Sequence, residues 1–121
     1  MAVGPLGQVH ISVTDLDRAV SFYADVLQIP LLFRVPGQPM AFLASGDVRL
    51  YLGVPERPEF ASRCVLYFRV ADIDAEYGRL TAAGVRFDRP PGVVHRDGDT
   101  QLWMAPFTDP DGHHLVLMQE R

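Results

Sequence analysis

Four histidines, a lone cysteine and a scatter of hydroxyl and guanidinium groups are what this chain has to do chemistry with. His10 lies in the alternating stretch 9–13, His95 in a segment rich in Pro, Gly and Asp, and His113 and His114 just before the apolar end of the chain. An imidazole with an ordinary pKa of about 6.5 exchanges protons at cellular pH. His10 is therefore a candidate acid or base, a candidate ligand contact, or a neutral ring hydrogen-bonded to a neighbour such as a tyrosine hydroxyl. Cys64 stands alone, so no intramolecular disulfide or thiolate cluster forms, and at the start of an apolar strand it reads as a small buried hydrophobe. Every basic residue other than His is Arg; the absence of Lys rules out a Schiff base, and with the absence of Asn it fits a GC-rich bacterial genome. No Ser, His and acid fall at a spacing that supports covalent catalysis. Gly92 and Gly98 are isolated and make no phosphate loop.

The elements that must position these groups come from a repeat. The run from Val9 through Asp17 recurs from Leu66 through Asp74, each copy an alternating strand that enters an Asp-apolar-Asp helix start. In the first copy the alternation puts His10 and Ser12 on one face and Val9, Ile11 and Val13 on the other. Thr14 or Asp15 caps a helix whose apolar positions, from Leu16 to Leu27, fall at helical spacing, and the helix ends near Gln28. Three strands follow over residues 31–35, 40–44 and 48–54, divided by turn signals at Pro36-Gly37 and Ser45-Gly46-Asp47. The second copy has a strand over 65–70, a cap at Asp72 and a helix that Gly84 terminates. Its three strands are expected over 85–88, 102–107 and 115–119, with 89–100 as a surface loop and Asp109-Pro110-Asp111-Gly112 as the last hairpin turn. The matching position to His10 in the second copy is Tyr67.

Size and charge bound the rest. With 121 residues, 48% of them hydrophobic, the chain is long enough for one sizeable core, and one domain over 1–121 is expected, with modules of about 6–56 and 62–121. A net charge of -4 without a basic stripe argues against nucleic acid. No apolar run approaches the ~20 residues of a membrane helix and no leader pattern opens the chain, so a soluble cytoplasmic protein is expected, away from the membrane.

Two tandem βαβββ units, a His on the first strand and a terminal Asp-Pro-Asp-Gly-x-x-Leu-x-Leu hairpin resemble the vicinal oxygen chelate superfamily, which includes glyoxalase I, extradiol dioxygenases, fosfomycin-modifying enzymes and bleomycin resistance proteins. The resemblance runs from Leu6 to Gln119. It implies an α+β fold in which curled mixed sheets surround a cavity, with the helices outside, and it implies a homodimer. In metal-dependent members a divalent ion is held from the first and last strands of each unit; carried over, those positions are His10, Tyr51, Tyr67 and Val116. The family places His, Glu or Gln there, and only His10 fits. A site of this kind needs three or four protein ligands at about 2.0–2.2 Å, and Val116 has no donor. The resemblance therefore implies no metal at the family position. The alternative is a displaced divalent ion on His10 and His114, with His95 from the loop.

Alternation applied to each sheet gives the cavity-facing set: His10, Ser12, Met40, Phe42, Arg49, Tyr51, Tyr67, Arg69, His114, Val116 and Met118. Trp103 packs under a helix by alternation with Phe107, and a bulge would turn it into the pocket. Rings for stacking beside guanidiniums for a carboxylate or carbonyl suit a flat, partly polar organic molecule. The expected function is a metal-free small-molecule binding protein that sequesters an aromatic antibiotic or metabolite. The alternatives are an enzyme of the superfamily (lyase, isomerase, transferase or dioxygenase), with a displaced metal or with His10 as acid or base, and a non-catalytic accessory domain.

Overall fold

The computed structural model describes residues 2–121. The chain divides at Arg63/Cys64 into two compact units. The fold is α+β, each unit a βαβββ-like module with its own four-stranded mixed sheet.

In the first unit β1 (Gln8–Ser12) leads to α1 (Leu16–Val20), then β2 (Leu31–Arg34), β3 (Met40–Ser45) and β4 (Val48–Gly53). The sheet order is β1-β4-β3-β2, with β1 and β4 parallel and the other pairs antiparallel. Asp15, not Thr14, is the N-cap of α1, its carboxylate accepting from the Arg18 amide at 3.1 Å. Beyond Val20 the helix widens to a π-helix over Ser21–Val26, in which the Leu27 amide reaches back five residues to the Phe22 carbonyl at 2.9 Å. Gln28 then takes a φ of 62°, the left-handed conformation that stops the helix. One face of the sheet packs against α1 and buries Ile11, Leu50, Leu52, Ala41 and Leu43 with Leu16, Ala19 and Tyr23. Arg34 points to that same face and pairs with Asp17 at 2.7 Å.

The second unit has β5 (Val65–Arg69), α2 (Ile73–Ala82), β6 (Gly92–Asp97), β7 (Thr100–Thr108) and β8 (His114–Glu120), in sheet order β5-β8-β7-β6. Asp72 caps α2 through the Ala75 amide at 3.1 Å. Gln119, at the far end of the sheet, accepts from the Ile73 amide at 2.9 Å and donates to the Ala71 carbonyl at 2.7 Å, which ties the start of α2 to β8. The buried face carries Leu115, Leu117, Phe107 and Ala105 under Ile73 and Leu80. In the last turn the buried Asp109 carboxylate accepts from the Asp111 and His113 amides at 2.9 and 2.8 Å, and Gly112 adopts a φ of 86°.

The edge of this sheet departs from expectation. Residues 85–88 are not a strand and 89–100 are not a loop. Phe87 makes a single bridge to Phe107 and the Asp88 amide bonds the Pro106 carbonyl at 2.8 Å, after which Pro90 and Pro91, which have no N–H, interrupt the ladder. Pairing resumes three residues along β7, with Gly92 opposite Met104, as β6, which turns back at Gly98-Asp99. A positive φ of 60° at Gly98, with none at Asp99, gives the two-residue hairpin a type II′ turn. Phe87 packs instead as a spacer between Tyr77 of α2 and Phe107, at ring distances of 4.7 and 4.9 Å. Cys64 differs too: it is half-buried, not a core residue.

Left-handed backbone costs a residue with a Cβ about 1–2 kcal/mol, whereas glycine loses about 0.5–1 kcal/mol more chain entropy on folding. Gln28→Gly should accordingly stabilise the protein by about 0.5–1 kcal/mol. The measurement is a urea titration, in which the midpoint rises at constant slope; a lower midpoint would contradict this account of the helix stop.

Candidate functional site

The face of the first sheet opposite α1 carries a continuous row of aromatic rings. Cross-strand register puts His10 beside Tyr51, Tyr51 beside Phe42, and Phe42 beside Phe33, so one residue from each strand lies on one line. Successive ring centroids are 4.5, 4.9 and 4.8 Å apart and the interplanar angles are 19°, 18° and 28°. These spacings match the ~4.8 Å between neighbouring strands, so the rings stand face to face as the strands do. Phe42 is buried, His10 and Tyr51 are half-buried, and Phe33 is 46% exposed at the sheet edge. Plain alternation would put Phe33 with Leu31. A register shift between them turns Phe33 onto the row and Leu31 toward Leu43, which is why strand periodicity alone does not find it.

Gly53 makes room for the row. A Cβ built there would lie 2.6 Å from Tyr51 Cε1 and 2.8 Å from its Cζ and Oη, so the phenol lies along its own strand over the glycine. The His10 ring is held from the same residue, with Nε2 3.4 Å from the Gly53 carbonyl oxygen. A carbonyl accepts only from a protonated nitrogen, so this contact puts a proton on Nε2; in the tautomer that carries it there alone, Nδ1 holds the lone pair.

Beside His10 and Tyr51 is a cleft of about 260 Å³ whose other walls are Pro55, Glu56 and Phe60. These belong to the strap that follows β4, ending in a short turn of helix at Pro58–Phe60. The Arg57 guanidinium lies 4.7 Å from the Phe60 ring centroid. The strap is tied back to β1 by Ser62, whose amide donates to Ser12 Oγ at 2.7 Å and whose hydroxyl donates to the His10 carbonyl at 2.9 Å. Ser12 is thus placed in a clasp behind the cleft and does not line it. Residues 57–61 carry no motif, and only the isolated Phe60 in a Pro-rich stretch hinted that the strap had a wall to build.

The remaining candidates are dispersed. Arg49 is exposed, donates through Nε and Nη2 to Gln8 Oε1 at 3.1 and 2.9 Å, and lies 5.1 Å from the Phe42 ring centroid. In the second unit Val116, buried, pairs with Tyr67, which is exposed, and with Pro106. Arg69 and His114 are exposed on the same face, one pair to either side. This face has no ring row, because Val116 and Pro106 stand where the first unit has Tyr51 and Phe42. Trp103 takes the α2 side: it pairs with Gln119, donates to Gln101 Oε1 at 3.2 Å and carries the Arg121 guanidinium 4.1 Å from its ring centroid. His95 lies on β6, an edge strand, where a groove of about 300 Å³ is lined by Val93, Val94, His95 and Arg96. His113 is buried, with Nδ1 3.5 Å from the Cys64 amide and 3.7 Å from its Sγ. Burial, with a smaller contribution from the Asp109 carboxylate, pushes the Cys64 thiol up from its usual pKa.

The donor set does not suit the divalent ion of the superfamily's metal-dependent members. His10 and Tyr51 present stacked faces to one another, so their lone pairs do not converge, and His10 Nε2 is turned to a carbonyl. Val116 offers nothing, and among the described residues no three His, Cys, Asp or Glu side chains form a metal-holding group.

Comparison with known proteins gives a family model, Glyoxalase/Bleomycin resistance protein/Dioxygenase superfamily, that matches residues 6–117. The chain is 31% identical to the metallothiol transferase FosB of Shouchella clausii (strain KSM-K16), over 95% of this chain and 80% of that protein. It is 27% identical to the uncharacterized protein YraH of Bacillus subtilis (strain 168), over 90% and 92% of the two chains. Among solved structures it is similar to TnmS3, an antibiotic binding protein from Streptomyces sp. CB03234, with a TM-score of 0.78, 29% identity and coverage of 100% and 99%. Lactoylglutathione lyase from Agrobacterium tumefaciens has a TM-score of 0.76 at 20% identity, covering 98% and 95%, a likeness of fold alone.

Two outcomes test this geometry. Gly53→Ala should push Tyr51 out of the row at a cost of about 1–3 kcal/mol, and the proton shifts of the His10 and Tyr51 rings should lose their mutual ring-current displacement. Cys64, held protonated, should react with iodoacetamide at neutral pH more slowly than free cysteine and gain rate only at higher pH; a rate equal to that of free cysteine would contradict the pKa direction.

Proposed function

The chain belongs to the glyoxalase/bleomycin resistance protein/dioxygenase superfamily, and on that premise we propose that it is a metal-free small-molecule binding protein that sequesters a flat aromatic antibiotic or metabolite. The observation that carries the reading is the row of stacked rings ending at a cleft. Flat aromatic surfaces in offset or face-to-face contact are worth about 0.5–1.5 kcal/mol beyond area burial, and a row fixed by strand register presents them without further ordering. His10 at the end of the row is the stacking platform in this reading, backed by Tyr51, Phe42 and Phe33, with Phe60 across the cleft. Arg49, whose guanidinium lies 5.1 Å from the Phe42 ring centroid, is the polar margin of that surface within the first unit. The similarity to TnmS3 along its whole length supports this class of ligand. The family's dimeric habit leads us to read the protein as a homodimer, acting in the cytoplasm; among the described residues no helix is long and apolar enough to cross a membrane.

A second reading draws on the relationship to a transferase. In it Nδ1 of His10 takes a proton from a bound substrate, without a metal. Turnover that survives chelation and is lost in His10→Ala would establish it.

The binding reading predicts no stoichiometric metal in protein purified without chelator or affinity metal, together with a rise in Tm on adding planar aromatic compounds. At about 100 times the Kd the gain in stability is ~2.7 kcal/mol. A panel of such compounds that leaves Tm unchanged would remove the main support for the proposal.

A further inference from the structure

The cleft at the end of the ring row has a charge as well as a shape. Of the five side chains that line it, His10, Tyr51 and Phe60 are rings, Pro55 is apolar and Glu56 is a carboxylate. Among the described residues Glu56 is the one acidic residue in the lining, and no arginine lines the cleft. The Arg57 guanidinium is engaged at the Phe60 ring, 4.7 Å from its centroid, and that of Arg49 is forked onto Gln8. A bound anion would therefore meet Glu56 in the lining with both of these guanidiniums already engaged, whereas a cation would meet Glu56 and the negative faces of the rings. Arg57 on Phe60 shows that a planar cation already chooses this ring. The order along the first sheet adds a geometric reason: β1 is the edge strand of that sheet, so the row ends at His10 within it, and the strap with Phe60 is tied to β1 by the Ser62 clasp.

Resting on the binding reading above, we infer that the cleft selects a planar aromatic cation, such as a protonated aromatic amine or amidine, whose ring extends the His10 row by one step toward Phe60 and whose charge sits at Glu56. Glu56 is then the specificity-determining residue and the rings supply the charge-independent part of the affinity. Because Glu56 is exposed, the pairing is modest in size and sensitive to salt.

The test uses three probes that share a ring system: 9-aminoacridine as the cation, acridine as the neutral compound and acridine-9-carboxylate as the anion, in slightly alkaline buffer. Affinities are measured by calorimetry on the full chain and on Glu56→Gln and Glu56→Lys, with Tm recorded for each protein. The expected order in the natural protein is cation, then neutral compound, then anion. Glu56→Gln should weaken the cation by about threefold to fivefold, the size of an exposed ion pair, and leave acridine unchanged; Glu56→Lys should reverse the order of cation and anion. Added salt should narrow the gap between cation and neutral compound without moving the neutral compound. Equal binding of all three, anion preference, or a Glu56→Gln loss shared by acridine overturns the assignment of ligand charge and leaves the aromatic binding reading standing. Failure of all three probes to bind overturns both.

Discussion

Everything on the open face of the first sheet depends on one register. The parallel pairing of β1 with β4 puts His10 level with Tyr51, and the two antiparallel pairings that follow carry the same line to Phe42 and Phe33. A slip of one residue on any strand would turn its ring to the α1 side and bring an aliphatic residue out. The row is thus held by the burial of Ile11, Leu50, Leu52, Ala41 and Leu43, which fix the register from the other face. Gly53 serves the same end within one strand. A glycine in a strand interior weakens it by leaving backbone bare and unpacked, and here the phenol of Tyr51 lies over that gap. The ring that the site uses is also the ring that covers the glycine.

The two units share a hydrogen-bonded skeleton and differ in what they place on it. At matched positions the first has His10, Tyr51 and Phe42 and the second has Tyr67, Val116 and Pro106. Among the described residues the stacked rings lie in the first unit, whereas the ring pairs of the second are tilted. The second has its aromatic packing on the helix side, where Tyr77, Phe87 and Phe107 meet and where Trp103 carries Arg121. The two sheets share a strand order and each buries a helix-side face, whereas their opposite faces carry different side chains.

Most of the fold was legible in the sequence because it rests on periodicities and caps that single residues announce: Asp15 and Asp72 at helix starts, alternation through His10 and Tyr67, and the Asp109-Gly112 turn. The edge of the second sheet was not legible. The short apolar run 85–88 looks like a strand, and Gly92–Asp97, with its glycine at one end and charges at the other, looks like a loop. Pairing to β7 and the absence of N–H groups at Pro90 and Pro91 decide the matter, and both act through a partner strand. The site was legible in part. Alternation finds His10, Tyr51 and Phe42 but not that their rings stack, nor that the Ser12 hydroxyl accepts from the Ser62 amide. Phe33 needs the register shift, and Phe60 needs the path of a strap that no period describes.

The Ser62 clasp has a consequence for how this sheet meets other chains. An edge strand offers its free amides and carbonyls to any extended segment that passes. At β1 the His10 carbonyl is already taken by the Ser62 hydroxyl, and the Ser12 amide reaches the same oxygen at 3.3 Å. A side chain stands where a foreign strand would dock, at the point where the ring row ends. Among the described residues no side chain caps the backbone of the opposite edge, β2, which carries Leu31, Leu32 and Phe33 in the open. The two edges of this sheet thus differ in kind: the one beside the cleft is closed to pairing at His10 by the chain's own hydroxyl, and the one away from it shows apolar side chains.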